Sequence, residues 1–405
     1  MWTGIFPTFV CYFILAGLVL VQNTRLVRLA LGPIACGLTY HAATSYDLAK
    51  VKGPGFEYWN FGLVVIMIAL AMRMFEWSLQ REPLRKTSGQ ANHIVLDALD
   101  LAFNTRGLGW TWSRGLHVPR PIKASTPRFL LRTVLHAACY FITFDTLHYF
   151  VQSFGTATFG SPAGGTIFDA SLPPLRRYLR STFLTVTSGT VIYAALVLAY
   201  DLIILISFSI CSVSGIIGLS GYQDPEDWPP LFHKPYLATS LADFWGKRWH
   251  QAFRRSFIVI GAEPLRSLAL AVTGSRNVAR AAGVLGAFLI SGVLHDWGMW
   301  GMGRGTDPWR VIGFFVLSGV GMILENAWER HILDDGKWGK KRRLRVDGLG
   351  GWIWTIGWTI LWGHMLVEAW LVRGLPGSVL IPEEHRPGRM IVEYFRSNLA
   401  NLHLR

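Results

Sequence analysis

His295 is the residue whose setting is hardest to explain without chemistry. It ends an apolar run from Ala281 to Leu294 and is followed by Asp296, Trp297, Gly298, Met299 and Trp300. An ionisable side chain at the edge of such a stretch is costly unless it lines a cavity. An imidazole with an ordinary pKa of ~6.5 takes a proton from an alcohol when neutral and returns it when charged. Asp296 is suited either to orient that ring or to face water at the helix end. The alternative reading of His295 is an interfacial histidine that caps its own helix C-terminus.

A second group of residues is longer. Residues 227–255 begin Asp227-Trp228-Pro229-Pro230-Leu231-Phe232 and, after a polar stretch to Ser240, continue Asp243-Phe244-Trp245-Gly246-Lys247-Arg248-Trp249-His250-Gln251, ending in Arg254 and Arg255. Phe244, Arg248 and Gln251 recur at steps of four and three, and Trp245 and Trp249 share a helical face. One reading is an amphipathic interfacial helix with indoles at headgroup level and arginines reaching water. The other is a cationic mouth for a polyphosphate such as coenzyme A. Its adenine would stack on indole and its phosphates would meet Lys247, Arg248, Arg254 or Arg255.

Other chemistries lack their residues. No two of the 12 histidines lie within five residues, so neither a clustered-histidine di-iron site nor an HExxH zinc pair is present, and no metal site is expected. The GxSxG elbow and the GxxxxGK[ST] phosphate loop are also missing from the sequence. His331 to Gly336 satisfies HxxxDG, a signature of soluble CoA-dependent acyltransferases, but it falls on a basic loop with no soluble domain around it. The aspartate pairs considered for holding magnesium diphosphate in prenyl transfer are Asp334-Asp335 and Asp97/Asp100. Asp145 and His148 are three apart in an apolar run, as an acceptor-site pair or a structural hydrogen bond. Asp201 and His364 are further polar groups inside spans, while Glu325 and Asn326 read as structural.

The elements that must position these residues are membrane helices. Apolar residues make up 51% of the 405 and charged ones 16%, against about 25% charged in ordinary globular chains. That excludes an ordinary soluble protein. The balance of 39 Lys and Arg against 25 Asp and Glu fits basic loops between spans better than nucleic-acid binding. Four well-separated cysteines offer no disulfide framework. Windows near 3–22, 26–43, 57–74, 133–151, 279–297, 308–326 and 351–372 are long enough to cross, with a longer apolar zone from 182 to 219 interrupted by Tyr200 and Asp201. Residues 1–22 read as a retained first span rather than a removed signal. Glu263, Pro264 and Arg266 demote 256–273 to an interfacial helix. The sequence thus predicts an all-α, polytopic membrane protein of about eight crossings plus interfacial helices. With a lumenal N-terminus, the cytosolic segments hold 26 of the 39 basic residues, including the run from Lys337 to Arg345.

The order and spacing of WPPLF, DFWGKRWHQAFRR and SGVLHDWG resemble the wax synthase-like branch of the membrane-bound O-acyltransferase superfamily. Asn104 to Trp110 is similar, more weakly, to an arginine, glycine and tryptophan segment of that branch. The resemblance implies a core, here 81–400 behind N-terminal helices in 1–80, in which a tunnel crosses the membrane and acyl transfers from acyl-CoA to a hydroxyl. It makes His295 the general base. His250 stands at the second polar position, which is Asn in many relatives, and so lacks the fixed amide donor. Phe244, Trp245 and Trp249 match the motif's aromatic scaffold. Acyl-CoA, with acetyl-CoA favoured, is the implied co-substrate. The implied partners are a lipophilic alcohol of the terpenoid or meroterpenoid type and the bilayer, in the endoplasmic reticulum. A fatty acyl donor is the alternative.

Overall fold

The computed structural model describes residues 2–50, 52–89, 93–113, 115–155, 164–216, 224–334 and 348–402. The fold is all-α. Its main helices are α1 (Trp2–Leu18), α2 (Arg25–Ser45), α3 (Tyr58–Leu79), α4 (Ile94–Phe103), α5 (Thr126–Gln152), α6 (Pro174–Ile216), α7 (Arg254–Thr273), α8 (Arg276–Met299), α9 (Pro308–Asp334), α10 (Leu349–Val372) and α11 (Pro387–Leu402). Among the described residues, five are long and apolar enough to cross a membrane: α3, α6 through Ile210, α7, α8 and α9. The chain is a multi-pass membrane protein.

Of the apolar zone from 182 to 219, which could be one long span or a span plus a half-helix, the described part lies in one helix of 43 residues, Pro174–Ile216, unbroken at Tyr200 and Asp201. Residues 254–273, expected as an interfacial helix, form one 20-residue helix that is long and apolar enough to cross a membrane. Proline is tolerated there because a π turn over Ile258–Ala262 immediately precedes it, shifting the hydrogen-bond ladder that Pro264 would otherwise break. The run Lys337–Arg345 lies outside the described residues.

The chain forms two compact units. The first comprises Met1–Leu116, Ser240–Ala242 and Gln251–Gly350. One core cluster here joins Tyr12 and Leu15 of α1, Trp77 of α3, Leu101 of α4 and Trp110. Arg28 is buried but donates to the carbonyls of Trp77 and Gln80, which otherwise lack partners at the end of α3. Helices α7 and α8 form a tight hairpin. Gly274 closes α7 at φ +64, a conformation glycine adopts without strain, and the Ser275 hydroxyl accepts from the Val278 N–H to start α8. The π turn of α7 meets α8 backbone to backbone: a Cβ on Gly286 would stand 2.4 Å from the Gly261 carbonyl oxygen. This close packing, with Gly292 of α8 against Ile312 of α9, fixes the helix that carries His295.

The second unit comprises His117–Thr239, Asp243–His250 and Gly351–Arg405. Phe129 packs with Ile204 and Phe208, Phe144 with Val191 and Ala194, and Val151 with Leu184. Rising numbers on α5 meet falling numbers on α6, so the two helices are antiparallel. The buried Glu368 of α10 accepts from Thr166 Oγ1 at 2.8 Å and the Ile167 N–H at 2.9 Å, holding the chain that leads into α6.

Candidate active site

In the first unit, His295 lies near the C-terminal end of α8, half-buried, with its ring stacked on the buried Phe315 of α9 at 4.6 Å. Its Nδ1 is 2.7 Å from the Ser291 carbonyl oxygen, one turn back. A carbonyl can only accept, so Nδ1 carries the hydrogen in the neutral ring and Nε2 presents a lone pair. That is the tautomer a proton acceptor needs. The orienting role considered for Asp296 is filled by Ser291, while the buried Asp296 accepts from the Asp307 N–H at 2.6 Å and anchors the turn into α9.

Residues 244–255 do not form the single amphipathic helix that their spacing suggests. Phe244–Arg248 is one π turn, Trp249 is extended at ψ 156, and helix resumes only at Arg254. The reason is tertiary. The Trp249 N–H reaches back to the Phe244 carbonyl at 2.8 Å, and Arg248 turns to Asp243 and to the carbonyls of His233 and Lys234. In the second unit this gathers an aromatic cluster: Phe244 stacks on Trp249 at 5.5 Å, Trp245 meets both edge-on, and Phe232 contacts Trp249 and His250. Lys247 projects exposed from the turn. The sequence reading missed His117, whose Nε2 lies 3.0 Å from His233 Nδ1 with the rings stacked. Burial, then His233 and Lys247, hold the His117 imidazole below its ordinary value despite the opposing pull of Asp243.

Arg254 and Arg255 belong to the first unit. Arg254 donates to the Gln251 side chain at 3.1 Å. Arg255 pairs with the buried Glu76 of α3 at 2.6 Å and lies over the Trp112 ring, so this cation is committed to packing. Glu325 uses both carboxylate oxygens to cap the backbone N–H groups of Leu241 and Ala242, the structural role expected of it.

The remaining candidates are also placed. Asp145 is buried and accepts from Arg386 Nε and the Gly388 N–H, each at 2.7 Å. His148 Nε2 donates to the Pro376 carbonyl at 2.9 Å, and Nδ1 lies 3.2 Å from Arg386. These bonds form a latch between α5 and the C-terminal segment. Asp97 and Asp100 both bind Lys86, at 2.8 and 3.1 Å. Burial alone would lower the Lys86 pKa, but the two carboxylates outweigh it and hold it raised. Those aspartates are thus occupied by an internal cation. His331 lies on α9 rather than in the expected loop, and Asp335 and Gly336 of its motif are outside the described residues. No group of three or more His, Cys, Asp or Glu is gathered for a metal among the described residues. One pairing had escaped the sequence reading altogether: His136 Nδ1 lies 2.7 Å from Asp201, 65 positions away.

Residues 228–317 match the membrane bound O-acyl transferase family, a span that includes both the aromatic block and His295. The chain resembles that family over this region. It is similar to the acetyltransferase ple2 of Rhodocybe pseudopiperita, 27% identical over 324 residues, which cover 78% of this chain and 74% of that protein. A probable long-chain-alcohol O-fatty-acyltransferase of Arabidopsis thaliana is 30% identical over 175 residues, 43% of this chain and 48% of the relative. The O-mevalon transferase yanI of Aspergillus niger is 28% identical over 321 residues, 75% of this chain and 67% of that protein. The chain thus spans half or less of the length of the plant relatives it matches.

Proposed function

We propose that the chain is an acyl-CoA-dependent O-acyltransferase that moves an acetyl group to a hydroxyl of a lipophilic, terpenoid-type alcohol at the endoplasmic reticulum. The observation that carries this reading is His295 itself, a tautomer-fixed imidazole at the end of an apolar helix inside the matched region. Its Nε2 takes the hydroxyl proton as the alcohol oxygen attacks the thioester carbonyl. The new C–O bond forms, the C–S bond breaks, and the proton passes to the departing thiolate, giving ester and free CoA. No covalent acyl-enzyme is needed, because the thioester is already activated. The resemblance gives His250, at the motif's second polar position, a supporting hydrogen-bond role.

Trp245, Trp249, Lys247 and Arg248 receive the nucleotide end of CoA from the cytosolic side. Lys247 carries the main phosphate contact, because Arg248 and Arg255 already have carboxylate partners. Acetyl is favoured over long acyl chains because the acetyltransferase relative matches over three quarters of this chain, whereas the fatty-acyl relative matches over less than half. The test is ester formation by membranes carrying the chain, offered acetyl-CoA or palmitoyl-CoA with mixed terpenoid, sterol and long-chain alcohols. Mass spectrometry should show acetyl esters. A palmitoyl ester alone would replace the donor, and no ester from either would overturn the reading.

A further inference from the structure

Among the described residues of the second unit, the buried Asp145 and Asp201 are each paired with a basic side chain from another segment, and the two pairs differ in one respect. The Asp145–Arg386 pair is closed, its side chains 0% and 10% exposed. In the His136–Asp201 pair, Asp201 of α6 is 7% exposed but His136 of α5 is 46% exposed. The carboxylate can only accept, so His136 Nδ1–H donates to it and Nε2 is left with its lone pair on the open side. A carboxylate behind an imidazole strengthens that lone pair as an acceptor and fixes the ring.

The surroundings restrict what can reach it. Leu131, Leu135 and Ile142 on α5 and Leu202, Ile203 and Ile206 on α6 are exposed apolar neighbours in sequence, as expected of a lipid-facing surface. Arg128 and Arg132 lie on the same face of α5, one turn apart, and both are exposed. Their long stems can reach toward the headgroups from a helix whose start is ~15 Å above His136, at 1.5 Å per residue. With those arginines at headgroup level, His136 is a hydrogen-bond acceptor on an apolar wall. Tyr140 packs its ring against the imidazole at 4.6 Å and bounds the site on the next turn.

A carboxylate ligand would be repelled by Asp201, and a hydrocarbon would gain nothing from the imidazole. A membrane-dissolved alcohol satisfies both surfaces, donating its hydroxyl to Nε2 and laying its apolar body along α5 and α6. We infer that the His136–Asp201 dyad is a bilayer-facing docking site for the hydroxyl of a lipophilic alcohol. Its role as the acceptor's entry site rests on the acyltransferase reading; the binding itself does not. His136 is a binding residue here and takes no part in proton transfer.

The test uses the full chain in lipid nanodiscs and a diazirine-bearing hexadecanol. Photolabelling should map to peptides containing residues 131–143 or 200–206, be competed by hexadecanol but not by hexadecane, and fall about tenfold in His136→Phe and in Asp201→Asn. His136→Gln, which retains an acceptor oxygen, should recover part of the label, and it also serves if the phenylalanine variant does not fold. In turnover, His136→Phe should raise KM for the alcohol about tenfold and leave KM for acyl-CoA and kcat unchanged. Labelling that persists in both His136 variants, or that phosphatidylserine competes as well as hexadecanol does, would overturn the proposal. If the label maps as expected but the wild-type chain forms no ester, the acyltransferase reading falls and the docking site stands. If esters form normally and the label ignores His136, the reverse holds.

Discussion

Replacing Asp145 by asparagine should release the C-terminal helix. Asp145 is completely buried, and its two oxygens accept separately from Arg386 Nε and the Gly388 N–H, both at 2.7 Å. An amide can accept at only one of them and turns an N–H toward the other. Removing one partner of a buried pair typically costs about 3–5 kcal/mol. Arg386 keeps its bonds to Gln152, at 2.6 Å, and to His148, which points to the lower end. About 3 kcal/mol corresponds to a roughly hundredfold rise in the open population of Pro387–Leu402, at ~1.4 kcal/mol per factor of ten. Hydrogen exchange by mass spectrometry, under conditions where exchange follows the opening equilibrium, reads that change on α11 directly. The double variant Asp145→Asn/Arg386→Met, which removes both charges, should be less damaging than the sum of the single changes. Exchange of α11 within twofold of wild type in Asp145→Asn would refute the latch.

Three further outcomes follow from other parts of the molecule. Gly286→Ala should lower thermal stability in detergent by an overpacking penalty of about 1–3 kcal/mol, because its Cβ meets the Gly261 carbonyl, whereas Gly189→Ala, with nothing within 4 Å, should not. His117 is held below its ordinary value of 6.5, so the folded form binds fewer protons than the unfolded one and stability is lost as pH falls through that value. Exchange of residues 115–118 and 230–236 should therefore rise below about pH 6, and His117→Gln should abolish the dependence. Ester formation should survive EDTA; its loss would contradict metal-free base catalysis by His295.

The helical fold and the setting of His295 were legible because each depends on residues close in sequence. A long apolar run followed by His-Asp-Trp is a local pattern, and the all-α class follows from such runs alone. The geometry of 244–255 was not legible. A π turn and a helix share their apolar spacing over five residues, and the choice between them here follows from Arg248 binding Asp243 and the carbonyls at 233 and 234. Pairings across helices were equally hidden. Arg255 looks like a free phosphate ligand until Glu76, 179 positions away, is beside it. His136 looks like an isolated histidine until Asp201 supplies its orientation. Periodicity identifies which face of a helix is polar, but not which distant residue that face meets.

The most direct measurement compares kcat for ester formation by wild type, His295→Ala and His331→Ala, with folded yield checked by size-exclusion chromatography. His295 as general base predicts a loss of about 10²–10⁴ in kcat for the first variant and near wild-type turnover for the second. Undiminished turnover in folded His295→Ala, or equal losses in both variants, would contradict it.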